Sequence, residues 1–271
     1  MKKGNNQNSF LRMGQLEKME PLLEGRKISK YFGGLAALDQ VDISVYPGEI
    51  IGLIGPNGSG KTTLVDCLNR VQDISSGQVF YKGLEITQNK PYQVAHLGLA
   101  RTFQTIRVYR KLTVLDNMLL SRQWHSLGLM DLFRMSPLHV DRHARELLEF
   151  LSIGHLEQEP AGNLSWGQLR LLELGMALMP DPDLILLDEG TSGVNPSLLD
   201  IIKEKIRFLK QEHGKSFLLV EHNIQFIENL CSRVYVLDQG KMLAEGTPDQ
   251  IINDQAVIMA YFGAQAGELF L

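Results

Sequence analysis

The chain has 271 residues, of which 44% are hydrophobic and 21% are charged. This composition excludes collagen-like, disordered and disulfide-rich classes and allows one large domain or two small ones. The 27 basic and 31 acidic residues leave a net charge of −4, so we expect no general attraction to nucleic acid or anionic lipid. No stretch reaches the roughly 18 apolar residues of a membrane span, and the polar start does not resemble a signal peptide, which predicts a cytoplasmic protein.

The first part of the chain has the pattern of an extension followed by strands. Residues 1–21 show no apolar periodicity, so we expect a flexible extension before a domain that covers residues 22–271. Short apolar runs at 41–45 and 50–54 are bounded by glycine and proline, which is typical of strands.

The pattern becomes helical in the middle of the chain. Between about residues 101 and 178, apolar residues recur at helical spacing, so we expect an inserted helical subdomain there. Apolar runs at 184–187 and 217–220 then flank a helical segment at 198–209. This alternation of strand and helix predicts an α/β fold whose parallel sheet has its ligand site at the carboxyl ends of the strands.

The clearest chemical signal directly follows the run 50–54. It fits the phosphate-binding pattern G-x-x-x-x-G-K-[ST] and consists of Gly55, Pro56, Asn57, Gly58, Ser59, Gly60, Lys61 and Thr62. Glycines let the backbone aim several N–H groups at one anion, and the following helix adds its positive dipole end. We expect Lys61 to reach the β- and γ-phosphates, Thr62 to place its hydroxyl on Mg²⁺, and Thr63 to support the helix start.

Two adjacent acids end the apolar run 184–187. Neighbouring residues on a strand point to opposite sides, so Asp188 and Glu189 are expected to have different roles. We expect Asp188 to hold Mg²⁺ through a water molecule and Glu189 to activate the attacking water as general base. The nearest string to a guanine-binding Asn-Lys-x-Asp clamp, at 89–92, fails at its last position, which disfavours a GTPase.

A third stretch opens an apolar helix. It resembles the signature motif of the ABC ATPase family in five residues: Leu164, Ser165, Trp166, Gly167 and Gln168. Ser165, the Gly167 amide and the helix N-terminus can form a second anion site, and the resemblance implies that this site faces the γ-phosphate held by another protomer. Ser165 is also expected to cap the helix. The family resemblance implies a RecA-like P-loop NTPase core with a parallel sheet, an antiparallel β subdomain and an inserted helical subdomain.

The same resemblance implies an ATPase that uses ATP and Mg²⁺, and it gives roles to three more residues. Phe32 matches the aromatic residue that stacks on adenine, with Tyr31 as the competing candidate. Gln104 matches the glutamine that touches Mg²⁺ and the attacking water and joins the core to the helical subdomain. His222 matches the switch histidine, whose ring can donate a hydrogen bond to the γ-phosphate.

Within this family, the chain resembles the ATP-binding subunit of a bacterial branched-chain amino acid importer. The resemblance rests on six features: YFGGL at 31–35, RTFQ at 101–104, GQ at 167–168 with LE at 172–173, SGVN at 192–195, VEHN at 220–223 and AEGTP at 244–248. Trp166 stands where the family usually has Gly, Gly190 where it has Pro, and Asn195 where it has Asp, and the importer group shares the Asn. Urea and amide importers and the lipopolysaccharide-export ATPase are related alternatives.

The resemblance also implies partners and a place in the cell. We expect a peripheral subunit at the cytoplasmic face of the inner membrane that pairs with a second ATP-binding subunit, identical or paralogous. It would dock on transmembrane permease subunits and work indirectly with a periplasmic or extracellular solute-binding protein. A nucleic-acid-associated ABC ATPase would need a basic groove, a coiled coil or tandem cassettes, so no nucleic-acid partner is expected.

Two further alternatives concern the general base of hydrolysis and the apolar stretch at 121–140. A regulatory subunit that binds nucleotide without hydrolysis would lack the base, yet Glu189 is present. The apolar stretch at 121–140 is expected to pack within the helical subdomain, with contact to a membrane subunit as the alternative.

Overall fold

The computed structural model describes residues 19–102, 107–122, 137–188 and 195–268. Residues 1–18 of the expected extension and most of the apolar stretch at 121–140 lie outside the described residues. Among the described helices, none is long and apolar enough to cross a bilayer. The described part contains two sheets and the helices packed on them.

The smaller sheet is antiparallel and four-stranded, in the order β2-β1-β4-β5. Its strands are β1 (Leu23–Phe32), β2 (Leu35–Val45), β4 (Ser76–Tyr81) and β5 (Leu84–Glu85). β1 and β2 form a hairpin whose turn holds Gly33 at a φ of 57°, a conformation that glycine adopts without strain. Phe32 pairs with Leu35 at the closed end of this hairpin. The sheet confirms the expected antiparallel β subdomain.

The larger sheet has six strands in the order β10-β9-β3-β8-β7-β6. They are β3 (Ile50–Ile54), β6 (Leu99–Arg101), β7 (Leu184–Asp188), β8 (Ser216–Val220), β9 (Arg233–Asp238) and β10 (Lys241–Gly246). All neighbouring strands run parallel except β9 and β10, which form an antiparallel pair at one edge. β3, β7 and β8 are buried at every residue, because elements cover both faces of the sheet.

Nine α-helices are described in the part of the chain that the structure covers. They are α1 (Lys61–Leu68), α2 (Pro91–His96), α3 (Val114–Leu120), α4 (Pro137–Phe150), α5 (Trp166–Leu178), α6 (Pro196–His213), α7 (Ile224–Leu230), α8 (Pro248–Ile252) and α9 (Gln255–Glu268). Helices α1, α6 and α7 follow β3, β7 and β8, as the crossovers between parallel strands require. This alternation confirms the predicted α/β fold.

Helices α3, α4 and α5 pack on one another within the region expected to be helical. Ala144, Leu148 and Leu151 are buried, as their helical spacing predicts. A Cβ at Gly175 on α5 would lie 2.9 Å from side-chain atoms of both Leu151 and Met118, so glycine allows the close approach of these elements.

Strand β3 separates two hydrophobic cores. Ile50 and Ile54 belong to the cluster formed with helices α3–α7, whereas Ile51 and Leu53 belong to the cluster under the antiparallel sheet. Successive side chains on a strand point to opposite faces, so one strand contributes to both cores. The loop after Ile54 therefore starts from a strand that is fixed on both sides.

Candidate nucleotide site

The backbone of the loop after β3 requires glycine at both of its ends. Gly55 and Gly60 have φ values of 151° and 103°. A Cβ at Gly55 would lie 2.0 Å from the carbonyl oxygen of Leu237, and one at Gly60 would lie 2.6 Å from a carbonyl oxygen of β2. The turn after β9 also holds the loop, because the Gly240 N–H donates to the Ser59 carbonyl oxygen at 2.9 Å. The loop amides are thus held in place by other strands, as an anion site requires.

Lys61 places a positive charge inside this loop. It is the first residue of α1 and is buried, and its Nζ donates to the carbonyl oxygens of Gly55 and Pro56, each at 2.9 Å. The ammonium group adds to the positive dipole end of α1. A phosphate that enters the loop would therefore meet a cation whose position is already fixed.

A cavity of about 680 Å³ opens over the loop. Its lining combines loop residues with the β1–β2 hairpin and a histidine from after β8, and it includes Phe32, Leu35, Asn57, Gly58, Gly60, Lys61, Thr62, Thr63 and His222. An aromatic ring and a cation in one cavity suit a ligand that carries both a flat base and phosphate. The structure brings the phosphate loop, Phe32 and His222 together at one cavity.

Phe32 and Tyr31 differ in their relation to the cavity. Their exposed fractions are almost equal, 48% and 47%, but only Phe32 is a lining residue. Adjacent side chains on a strand point to opposite sides, which accounts for the difference. The geometry favours Phe32 over Tyr31 as the residue that stacks on a base.

Asp188 ends β7 and is almost completely buried. Arg101, at the end of the neighbouring β6, donates from Nη2 to Asp188 Oδ2 at 2.9 Å and from Nη1 to Asp66 on α1. The Asp188 N–H donates to Thr102 Oγ1 at 3.3 Å. Sequence reasoning gave Arg101 no role, since a basic residue before Thr102 looks the same in sequence whether its side chain is buried or exposed.

The donor groups around Asp188 fit a magnesium ion that arrives with phosphate. Thr62 and Asp66 are four residues apart on one face of α1, and Arg101 joins Asp66 to Asp188. The Thr62 hydroxyl and the Asp188 carboxylate therefore lie on the same side of the site, linked through Asp66 and Arg101. Hydroxyl and carboxylate oxygens are ligands that Mg²⁺ prefers. Among the described residues, no group of three or more His, Cys, Asp or Glu side chains could hold a metal ion. This donor set fits a cation held jointly with phosphate oxygens.

The signature residues form a separate feature at the start of α5. Ser165 Oγ accepts a hydrogen bond from the Gln168 N–H at 3.3 Å, and Gln168 Oε1 accepts one from the Ser165 N–H at 2.9 Å. Ser165 is therefore the N-cap, in agreement with its expected additional role. Trp166 is 45% exposed, and a Cβ at Gly167 would lie 2.0 Å from Leu198 Cδ2. None of these residues lines the cavity over the phosphate loop.

Some predicted site residues lie outside the described part of the chain. These are Gln104, Glu189, Gly190 and residues 192–194. Asn195 is described, and its Oδ1 accepts a hydrogen bond from the Leu198 N–H at 2.9 Å, so it caps α6.

Two protein families match this chain. The ABC transporter family matches residues 38–192, and the branched-chain amino acid ATP-binding cassette transporter family matches residues 241–267. The LivG protein of Archaeoglobus fulgidus is 38% identical over 254 residues, which cover 92% of this chain and 98% of that protein. The high-affinity branched-chain amino acid transport ATP-binding protein LivG of Escherichia coli is 35% identical over 251 residues, which cover 90% and 98%.

Solved structures share the fold. The ADP conformation of an ATP-binding cassette of an ABC transporter is 35% identical, with a TM-score of 0.81, and the match covers 90% of this chain and 100% of that one. A nucleotide-free cassette is also 35% identical, with a TM-score of 0.80 and coverage of 89% and 99%. The sheet, the phosphate loop and these relatives define a nucleotide-binding ATPase. The chain belongs to the ABC transporter family.

Proposed function

We propose that this chain is the ATP-hydrolysing motor subunit that energises uptake of branched-chain or other small amino acids through membrane permease subunits. The observation that carries the ATPase role is the buried Lys61 in the loop after β3, in a cavity that extends to Phe32 and His222. The transport substrate is supported by the names of the relatives and by the family match at 241–267.

ATP is proposed to bind along the cavity. Its adenine stacks on Phe32, a contact of the kind that contributes about 1–3 kcal/mol for a base on an aromatic side chain. The loop amides and Lys61 bind the β- and γ-phosphates. Thr62, Gln104 and Asp188 are the side chains that would hold Mg²⁺, and the ion would neutralise charge that develops on the phosphate oxygens.

Hydrolysis requires a water molecule in line with the γ-phosphate and a group that takes its proton. Glu189 follows the buried strand β7 directly and is proposed to accept that proton as general base. Gln104 is proposed to orient the same water, and His222 to donate a hydrogen bond to the γ-phosphate. As the water oxygen bonds to the γ-phosphorus, the bond between that phosphorus and the oxygen bridging to the β-phosphate breaks. The products are ADP and inorganic phosphate.

Coupling to transport is proposed to use a second cassette and a membrane partner. Ser165 and Gly167 of one protomer would close over the γ-phosphate held by the other. This arrangement is supported by the position of both residues away from the chain's own cavity. Movement at Gln104 would rotate helices α3–α5 and shift the permease subunits between two states. The chain would act as a peripheral subunit at the cytoplasmic face of the membrane, with a solute-binding protein as an indirect partner.

The test is isolation of the tagged chain from gently solubilised native membranes, followed by reconstitution of what copurifies into proteoliposomes. We expect two permease subunits and a second ATPase, and leucine uptake that needs ATP on the cassette side and solute-binding protein on the other side. Recovery without any membrane protein would refute the transport role. ATP-dependent uptake of urea but not of leucine would refute the amino acid assignment alone.

A further inference from the structure

Arg101 has a buried guanidinium between two carboxylates, one at the end of β7 and one on α1. Its side chain is 5% exposed, that of Asp188 is 1% exposed and that of Asp66 is 29% exposed. One guanidinium nitrogen donates to each carboxylate, so the residue connects the ends of β6 and β7 to helix α1. The planar fork of arginine suits this double contact better than the single ammonium of lysine.

Arg101 lies where we expect the divalent cation when nucleotide is bound. Asp188 is the proposed metal-holding carboxylate, and Asp66 lies one helical turn after Thr62 on α1. Without the guanidinium, two carboxylates would face each other there, one of them almost completely buried. Both carboxylates contact one guanidinium, so they lie near each other, and a divalent cation would relieve the repulsion between their like charges.

We propose that Arg101 is a positioning residue. Before nucleotide binds, its guanidinium supplies the positive charge beside Asp188 that a divalent cation supplies later, so the site takes up a metal ion only together with nucleotide. The proposal rests on the proposed function of Asp188. The guanidinium holds the Asp188 carboxylate in its orientation before nucleotide arrives, and its positive charge repels a metal ion that comes alone. Phosphate oxygens bring the additional negative charge that makes metal binding favourable.

The test uses the full chain without nucleotide and Mn²⁺ alone as the probe, with free Mn²⁺ measured by electron paramagnetic resonance. We expect Arg101→Gln and Arg101→Met to bind one Mn²⁺ at least tenfold more tightly than the unchanged chain. Arg101→Lys retains the charge and should remain close to the unchanged chain. The control Arg142→Gln removes an exposed arginine that pairs with Glu146 at 2.8 Å and should change nothing.

A gain of metal binding distinguishes this role from a merely structural one, because loss of folding does not create a site. The second change Asp188→Asn in the Arg101→Gln chain should abolish the gain. Folded Arg101→Gln and Arg101→Met chains with unchanged Mn²⁺ affinity would overturn the proposal. Failure of both to fold even with millimolar Mn²⁺ in the refolding buffer would also overturn it, since the metal should replace the guanidinium.

Binding of MgATP to the unchanged chain tests the proposed function separately. If the unchanged chain binds MgATP and Arg101→Gln gains no Mn²⁺ affinity, only the role of Arg101 is refuted. If the unchanged chain binds no ATP, the proposed function fails whatever the variant shows.

Discussion

Phe32 and Tyr31 form a matched pair of adjacent aromatic residues at the end of β1. Both are about half exposed, but only Phe32 lines the cavity. We predict that Phe32→Ala weakens ATP binding by about 1–3 kcal/mol, because stacking on the base is lost. Tyr31→Ala should leave the affinity unchanged. Titration with a fluorescent ATP analogue measures both, and an equal loss in the two variants would contradict the assignment.

The proposed role of Glu189 is in the chemical step and not in binding. We predict that Glu189→Gln lowers ATP turnover of the assembled complex by roughly 10²–10⁴ while ATP affinity stays the same, because the amide cannot accept the proton. Steady-state phosphate release and nucleotide titration separate the two effects. Glu212→Gln, on the exposed last turn of α6, is the control. Unchanged turnover in Glu189→Gln would exclude the general-base role.

At the scale of single residues, sequence predicts well where a motif fixes the backbone. The phosphate-loop pattern predicts the loop around Lys61, and the position of His222 after an apolar run predicts its place at the strand ends. Arg101 was not predicted, because its importance comes from contacts with Asp66 and Asp188, which are far from it in sequence. Such contacts depend on which strands become neighbours, and no local pattern contains that information.

Helix α5 begins with a cap that has a second proposed role. Ser165 and Thr113 are both N-caps with reciprocal side-chain hydrogen bonds, the latter at the start of α3. We predict that Ser165→Ala and Thr113→Ala each lower the free energy of unfolding by about 1 kcal/mol, because one helix amide loses its partner. Only Ser165→Ala should also lower ATP turnover of the paired cassettes by more than about tenfold, since a donor to the γ-phosphate is lost.

Urea unfolding and phosphate release measure the two effects of these cap variants. If Ser165→Ala matched Thr113→Ala in both, then Ser165 would be a cap and nothing more.

At the scale of elements, the sequence predicts where helices and strands occur better than it predicts which strands pair in the sheet. The apolar runs at 50–54, 184–187 and 217–220 lie in strands β3, β7 and β8, and the segment at 198–209 lies in α6. The placement of β9 beside β3 was not predicted, because parallel pairing depends on crossovers whose partners are distant in the chain.

At the scale of the whole molecule, two buried thiols contribute to the dependence of stability on pH. Cys67 and Cys231 are free and buried. Burial raises the pKa of Cys67 from 9.0 to about 11 and also raises the pKa of Cys231. The unfolded chain therefore releases these protons first, so the free energy of unfolding should fall as the pH rises from about 9 to about 11.

Urea unfolding at pH 7.5, 9 and 10.5 tests this pH dependence. Cys67→Ala is the matched variant, and its stability should fall less steeply with pH because one of the two thiols is gone. Parallel pH profiles for the two chains would show that Cys67 does not contribute.

The phosphate loop is completed by parts of the chain that are far from it in sequence. Strand β3 lies between β8 and β9, and the Gly240 N–H holds the loop at Ser59. During synthesis at about 5–20 residues per second, these supports follow the loop by roughly 180 residues, or about ten to forty seconds. During this time the nascent chain contains the phosphate loop without the strands and the Gly240 N–H that support it. A chain truncated before residue 240 would have a phosphate loop that lacks the hydrogen bond from Gly240.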